Sequence, residues 1–284
     1  MTTATLTARG RRSFALGEIR KLAAFARRDF LVAWSYRTAF LGEWVGLVAG
    51  AAMFYFVGLM VDPAKLPSYG GRHATYMEFA AAGIALTAFI QVGLGRVGTA
   101  IRQEQLTGTL ESVMMTPTSF ATIQVGSTVY DLIYVPIRTA VFFVLIAVAF
   151  GLHFEPSGIG PALVSLLVFI PFVWGLGVMH GAITLTVRRG SGAFGLGVTL
   201  LTISSGAFFP LQLLPHWFSS VARFNPIALA VQGIRRPLLG GGWTGIWPDA
   251  FILAPVSVAT LALGLYAFRL ALRREQRRGT LGLY

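Results

Sequence analysis

No cysteine occurs among the 284 residues, which excludes disulfides and thiolate-bound metals. The four histidines, His73, His153, His180 and His216, are scattered without paired ligand spacing, so no metal site is expected. Charge is scarce as well: Asp, Glu, Lys and Arg make up 12% of the chain, about half of the roughly 25% usual in soluble domains. A Gly-x-x-x-x-Gly-Lys-Ser/Thr phosphate loop is missing, so this chain is not expected to hydrolyse nucleotides or to carry a cofactor of its own. Gly93-Leu94-Gly95-Arg96-Val97-Gly98 does fit the spacing of a dinucleotide fingerprint. That fingerprint needs a strand before it in a soluble βαβ unit. Here it closes an apolar run, where glycines permit close helix packing.

What fills the chain is apolar surface. Hydrophobic residues make up 55% of it, 22 of them phenylalanine, and the mean hydropathy is +0.69. Such a chain finds its solvent in a bilayer, and each crossing needs ~20 residues. The expected fold is an all-α membrane protein with six transmembrane helices, near 38–61, 76–101, 120–150, 159–187, 192–210 and 248–271. Residues 1–13 read as a disordered tail, and 273–284 as a second tail after a transmembrane domain spanning 37–272. Within 14–36, Leu16, Ile19, Leu22, Ala23, Ala26 and Phe30 recur three and four apart, with Arg20, Lys21, Arg27 and Arg28 between them. That pattern predicts an amphipathic helix lying in the membrane interface. A cleaved signal peptide is not expected, because the first long apolar run begins near Thr38.

The net charge of +12 is read as topology rather than as affinity for nucleic acid. Arginine and lysine crowd the N-terminal segment, the end of span 2, Arg188-Arg189 and the C-terminal end, from Arg269 to Arg278. Fewer lie on the other side, at Lys65, Arg72, Arg223, Arg235 and Arg236. The bias predicts six spans with both ends in the cytoplasm. It places 103–117 there too, as a polar helix wedged between two apolar runs. Glu104 and Glu111 share one face, and Leu110, Val113 and Met114 another. The residues alone leave open whether this helix is solvated or lies in a partner's groove.

Three ordered motifs bear on that choice. Glu104-Gln105-Leu106-Thr107-Gly108-Thr109-Leu110-Glu111, running on to Thr116-Pro117, resembles the signature of ABC type-2 exporter permeases. Ser205-Gly206-Ala207-Phe208-Phe209-Pro210, with Leu214-Pro215-His216-Trp217, resembles the exit of that family's fifth span. Asn225-Pro226 and Val231-Gln232-Gly233-Ile234-Arg235 resemble the segment before the sixth. The resemblance implies that Glu104, Thr107, Gly108, Thr109, Leu110, Glu111, Thr116 and Pro117 seat a coupling helix on a nucleotide-binding ATPase subunit. That subunit would hold ATP and Mg. A second permease copy, or a related chain, would complete the path, in contact with membrane lipid in the plasma (inner) membrane.

Pro210, Pro215 and Pro226 forbid one straight span through 206–240, so a re-entrant pair of short helices is expected there. Phe142 and Phe143, Phe169 and Phe172, and Phe208, Phe209, Pro210 and Trp217 are candidates for an apolar route or its gate. Glu43, Asp131 and Arg138 are charges inside spans, which are costly and pair or face water. Asp131 and Arg138 stand two turns apart, so their partners are expected on other helices. Gly42, Gly46 and Gly50, and Gly177 and Gly181, are spaced for close helix contact, either at a dimer seam or within one bundle. The expected activity is export of a lipophilic cargo, whether drug-like molecule, lipid or lipid-linked glycan. A polysaccharide exporter and a non-transporting membrane assembly subunit are the alternatives. No ladder of acids and histidines suits a proton relay.

Overall fold

A computed structural model describes residues 23–24, 26–31, 34–106, 120–187, 190–213, 215–216, 219, 222 and 224–278. Seven α-helices organise them: α1 (Arg37–Gly58), α2 (Tyr76–Leu106), α3 (Phe120–Phe150), α4 (Ile159–Thr186), α5 (Gly190–Ile203), α6 (Pro226–Arg236) and α7 (Trp247–Arg278). Four stretches are long and apolar enough to cross a membrane: Leu41–Gly58, Tyr76–Gly95, Pro156–Thr186 and Trp247–Glu275. Tyr134–Phe150 in α3 and Gly192–Ile203 in α5 are apolar but shorter. The chain is therefore a predominantly helical multipass membrane protein. Pro136, Pro171 and Pro255 lie inside α3, α4 and α7, where neighbouring helices can satisfy the carbonyls that a proline frees.

Helix ends depart from the sequence expectation in three of the helices: α7 runs on to Arg278, into the expected tail of 273–284, and α5 and α2 differ as well. α5 stops at Ile203 rather than near residue 210. Ser205 there turns its hydroxyl onto the Thr202 carbonyl at 2.6 Å, and Gly206 takes a φ of +70°, a conformation that favours glycine. At the end of span 2, α2 runs on through Glu104 to Leu106, so residues 103–106 prolong the span's helix instead of opening a separate one. No proline interrupts this stretch. Helical backbone also covers residues 26–31 of the expected interfacial segment, where the exposed Phe30 and Trp34 rings stack at 6.2 Å.

α4 is the central post. Its face carrying Phe169, Phe172 and Val173 packs in one apolar cluster with Leu86 and Phe89 of α2, Ala230 and Val231 of α6 and Leu253 of α7. Against α7 the approach is closest. A Cβ added to Gly175 would lie 2.6 Å from backbone atoms of Thr260 and Leu261, and one on Gly264 would strike the Gly175 carbonyl. Gly177 and Gly181 are buried in the same helix, but Gly175 makes this contact. Because the obstacle is backbone, Gly264→Leu should destabilise the fold by about 3 kcal/mol. Thermal unfolding in detergent should show a clear fall in Tm, whereas Gly197→Leu, with open space around it, should change it little.

α1 stands apart. Of its apolar window only 6% is buried, against 72% for that of α2 and 61% for that of α4. Among its described side chains Ala51 alone is fully enclosed, in a cluster with Met77, Ala81, Phe142 and Ile146. After α1 comes a short antiparallel hairpin, β1 (Ser68–Tyr69) with β2 (Arg72–His73). Its turn, Gly70-Gly71, takes φ of +57° and +81°, the residue choice of a primed two-residue turn. The expected re-entrant segment holds a 3-10 turn, Leu211–Leu213, then α6 and a wide turn over Pro237–Gly241 that reverses into α7.

Candidate functional site

Two polar constellations interrupt the apolar bundle. The first is built from spans. Arg138, mid-way along α3, reaches Glu43 of α1 with Nη1–Oε2 at 3.5 Å. The pair is loose and lopsided: the Arg138 side chain is 14% exposed and that of Glu43 is 56% exposed. Arg138 also lines a void of about 10 Å³ with Leu47, Ala85, Phe89 and Val135. Its Nε is buried without a hydrogen-bond partner among the described residues. That volume is at the lower limit for one water. Asp131 lies on the same helix; its side chain is outside the described set.

The second constellation ties together helix ends. Arg235 of α6 is 1% exposed and has no acidic partner among the described residues. Its Nε donates to the Phe79 carbonyl at 2.9 Å, and Nη2 to the carbonyls of Gly206 and Ala207 at 3.2 and 3.0 Å. The guanidinium also lies 3.6 Å above the Phe79 ring centroid, a cation–π contact strengthened by desolvation. One side chain thus joins the start of α2 to the break after α5. Charge counting puts Arg235 on the outer side of the membrane; in the fold α6 turns its side chain inward beneath the exit of α5.

Neighbouring bonds reinforce the junction. Thr75 and Glu78 form a capping box: Glu78 N–H donates to Thr75 Oγ1 at 3.3 Å, and Thr75 N–H to Glu78 Oε2 at 2.9 Å. The other Glu78 oxygen accepts from the His153 N–H at 3.0 Å, so this buried carboxylate links α2 to the α3–α4 loop. Thr-x-x-Glu before an apolar run is a readable signal. Tyr76 donates its hydroxyl to the Phe208 carbonyl at 2.9 Å. Asn225 caps α6 through the Ile227 N–H at 2.9 Å, and its own Nδ2 donates to the Leu201 carbonyl at 2.6 Å. Asn before Pro is the signal for that cap.

The aromatic candidates divide. Phe142, Phe169 and Phe172 are buried in the cores, and the last two stack at 5.4 Å; none faces an open route here. Phe143 is half-buried, edge-on to Phe154 at 5.3 Å. Phe208 is half-buried and stacks on Phe54 of α1 at 5.2 Å, Phe209 is half-buried, and Pro210 is buried. Phe208 therefore puts the exit segment against the loosely held α1. Trp217 lies outside the described residues. So do Thr107, Gly108, Thr109, Leu110, Glu111, Thr116 and Pro117, while Glu104 is placed by its helical backbone alone.

Spans meet at glycine contacts, charges sit at span junctions, and no group of three or more His, Cys, Asp or Glu among the described residues could hold a metal. The model of one protein family, described as "ABC-2 type transporter", matches residues 20–239. The chain belongs to the ABC-2 type transporter family. Its matched region runs from the interfacial segment through α6, so both polar constellations fall within it. Members of this family are the membrane-spanning component of ABC transporters, a non-catalytic role that generally implies an ATPase partner. A 73-residue stretch of this ABC-2 chain is also 27% identical to "Uncharacterized protein YhgE" of Bacillus subtilis (strain 168), covering 26% of this chain and 9% of that protein. The chain thus spans under a tenth of that relative's length.

Proposed function

We propose that this chain is the permease half of an ABC exporter that moves a lipophilic cargo out of the cytoplasm or the inner leaflet. Six spans cross the inner membrane with both ends in the cytoplasm. ATP, with Mg, is hydrolysed on a separate nucleotide-binding subunit seated under residues 103–117. Two permease chains form the route between them.

The observation that carries this reading is the open face of α1. Leu41, Val45, Met53 and Phe56 are exposed, nothing lies within 4 Å of a Cβ at Gly42, Gly46 or Gly50, and the half-exposed carboxylate of Glu43, held only loosely by Arg138, lies beside Gly46 and Gly50. A charge turned toward lipid is costly; a second chain or an aqueous path along α1 removes that cost. The glycines leave a flat stripe that lets another helix backbone approach. α2 supplies the lever. Its 31 residues make a rod of about 46 Å, continuous from Glu104 to the capping box and the Arg235 junction. Movement imposed at its inner end is carried to the break after α5, where Phe208 meets α1. Apolar residues dominate these surfaces, which favours lipophilic cargo over ions.

The two-chain route is testable with a single thiol, because the chain has no cysteine of its own. Gly46→Cys, oxidised in native membranes, should yield a disulfide-linked dimer. Val258→Cys, on the exposed side of α7, should not. A monomer band alone from Gly46→Cys would sink the two-chain route.

A further inference from the structure

We infer that the cleft between α4 and α7, beside the arginine-rich C-terminal end of α7, binds an anionic phospholipid of the inner leaflet as a resident ligand distinct from cargo. The cleft measures about 310 Å³, at the lower end of the range for small-molecule sites. Met179, Ala182 and Ile183 of α4 and Leu270 and Ala271 of α7 form an apolar trough, and Arg274 stands with them in the lining. Its depth follows from packing. Gly175 and Gly264 hold the helices in backbone contact two turns away, and the buried Ala182 and Ala271 floor the trough with small side chains. Such a trough suits an acyl chain.

The mouth suits a phosphate. Leu270, Ala271 and Arg274 recur on one face of α7, and Arg277 follows one turn further on that face. Arg274 and Arg277 are exposed, and neither makes a salt bridge among the described residues. No carboxylate lines the cleft. Thr186, also in the lining, commits its hydroxyl proton to the Ala182 carbonyl at 2.9 Å, so Arg274 is the donor to an incoming headgroup. Exposed Leu263, Tyr266 and Leu270 continue the apolar surface along α7, as a lipid-facing helix requires. Basic pockets between spans on the cytoplasmic side recognise anionic headgroups through this combination of charge and apolar trough.

Native mass spectrometry of the detergent-extracted full chain, titrated with phosphatidylglycerol and separately with phosphatidylcholine, tests this. One phosphatidylglycerol adduct should survive activation that strips phosphatidylcholine. Arg274→Ala should lower its retention about five- to tenfold, and Arg274→Lys should restore part of it. Ile183→Trp, which fills the trough from a half-buried wall, should expel the adduct although Arg274 is intact. Excess inorganic phosphate should leave the adduct bound, since a free anion gains nothing from the trough. Equal retention by wild type and Arg274→Ala, or displacement by inorganic phosphate, would overturn the proposal. A disulfide joining two copies through Thr186→Cys, or loss of the ATPase rather than of lipid from Arg274→Ala, would also overturn it and assign the cleft to those partners. The leaflet rests on the orientation proposed above, which is decided separately: a tag after Lys65 should be reached from outside and one after Arg189 should not. Inverted tags with Arg274-dependent retention would overturn the inner-leaflet assignment and the proposed topology while leaving the phospholipid site standing.

Discussion

Reversing both acids of the polar segment, Glu104→Arg with Glu111→Arg, should cut co-purification of the ATPase at least about tenfold and abolish cargo-stimulated ATP hydrolysis, while the permease still inserts. Two reversals turn attraction into repulsion at one face, and a tenfold loss needs only about 1.4 kcal/mol. Glu104 sits on the last turns of α2, so its reversal tests the rod and the docking surface together. The single changes should each show part of the effect. If co-purification and stimulated hydrolysis both survived the pair, the docking reading would fail. Loss of stimulation with the ATPase still bound would instead place these acids in transmission along α2 rather than in affinity.

The largest effect on stability is expected at Arg235. Removing a buried charge can be neutral where its partner is replaced as well. Here the partners are backbone carbonyls, which stay. The Phe79 carbonyl belongs to α2 and has the helix's own bond to fall back on, but Gly206 and Ala207 follow the end of α5. Arg235→Met leaves those two acceptors buried, at about 1–3 kcal/mol each, offset in part by the lost desolvation of the cation. A net destabilisation of about 3 kcal/mol should lower Tm by about 10 °C. Arg235→Lys should recover little, because an ammonium lacks the planar fork that spans three carbonyls and lies over a ring. A Tm equal to the wild type's for Arg235→Met would show that the junction holds without it. Since the junction joins α2 to the exit of α5, ATP-driven transport should fall further than the loss of folded protein explains.

Much of this architecture was readable before any coordinates. The runs at 120–150 and 159–187 match α3 and α4 almost to the residue, because long apolar stretches bounded by Pro117, Gly151 and Arg188 leave little freedom. The family was readable for a different reason: three short motifs stand in order along the chain, and the matched region of 20–239 contains all three. Boundaries set by capping were harder. The early stop of α5 depends on Ser205 and Gly206, ordinary residues in a run whose hydropathy continues to Phe209.

Pairings were the least legible. Charge counting places Arg235 and Arg236 together on the outer side. In the fold, Arg236 meets Asp249 at 2.8 Å, whereas Arg235, one residue earlier and about 100° round the helix, is sealed inside. Glu43 and Arg138 are both visible as misplaced charges, yet 95 positions of sequence separate them, and only the packing of α1 on α3 makes them a pair. Of the glycines that spacing singled out, 42, 46 and 50 meet nothing within 4 Å, whereas Gly175 and Gly264, which no four-residue repeat links, bring α4 and α7 into backbone contact.

By itself, then, the sequence determined the solvent, the helical class and the family, because these follow from composition and from local pattern. The tertiary structure alone decided which charges are locked to carbonyls, which helix keeps an open face and where the cleft between α4 and α7 lies. Those depend on distances between residues far apart in the chain, and no local pattern encodes them.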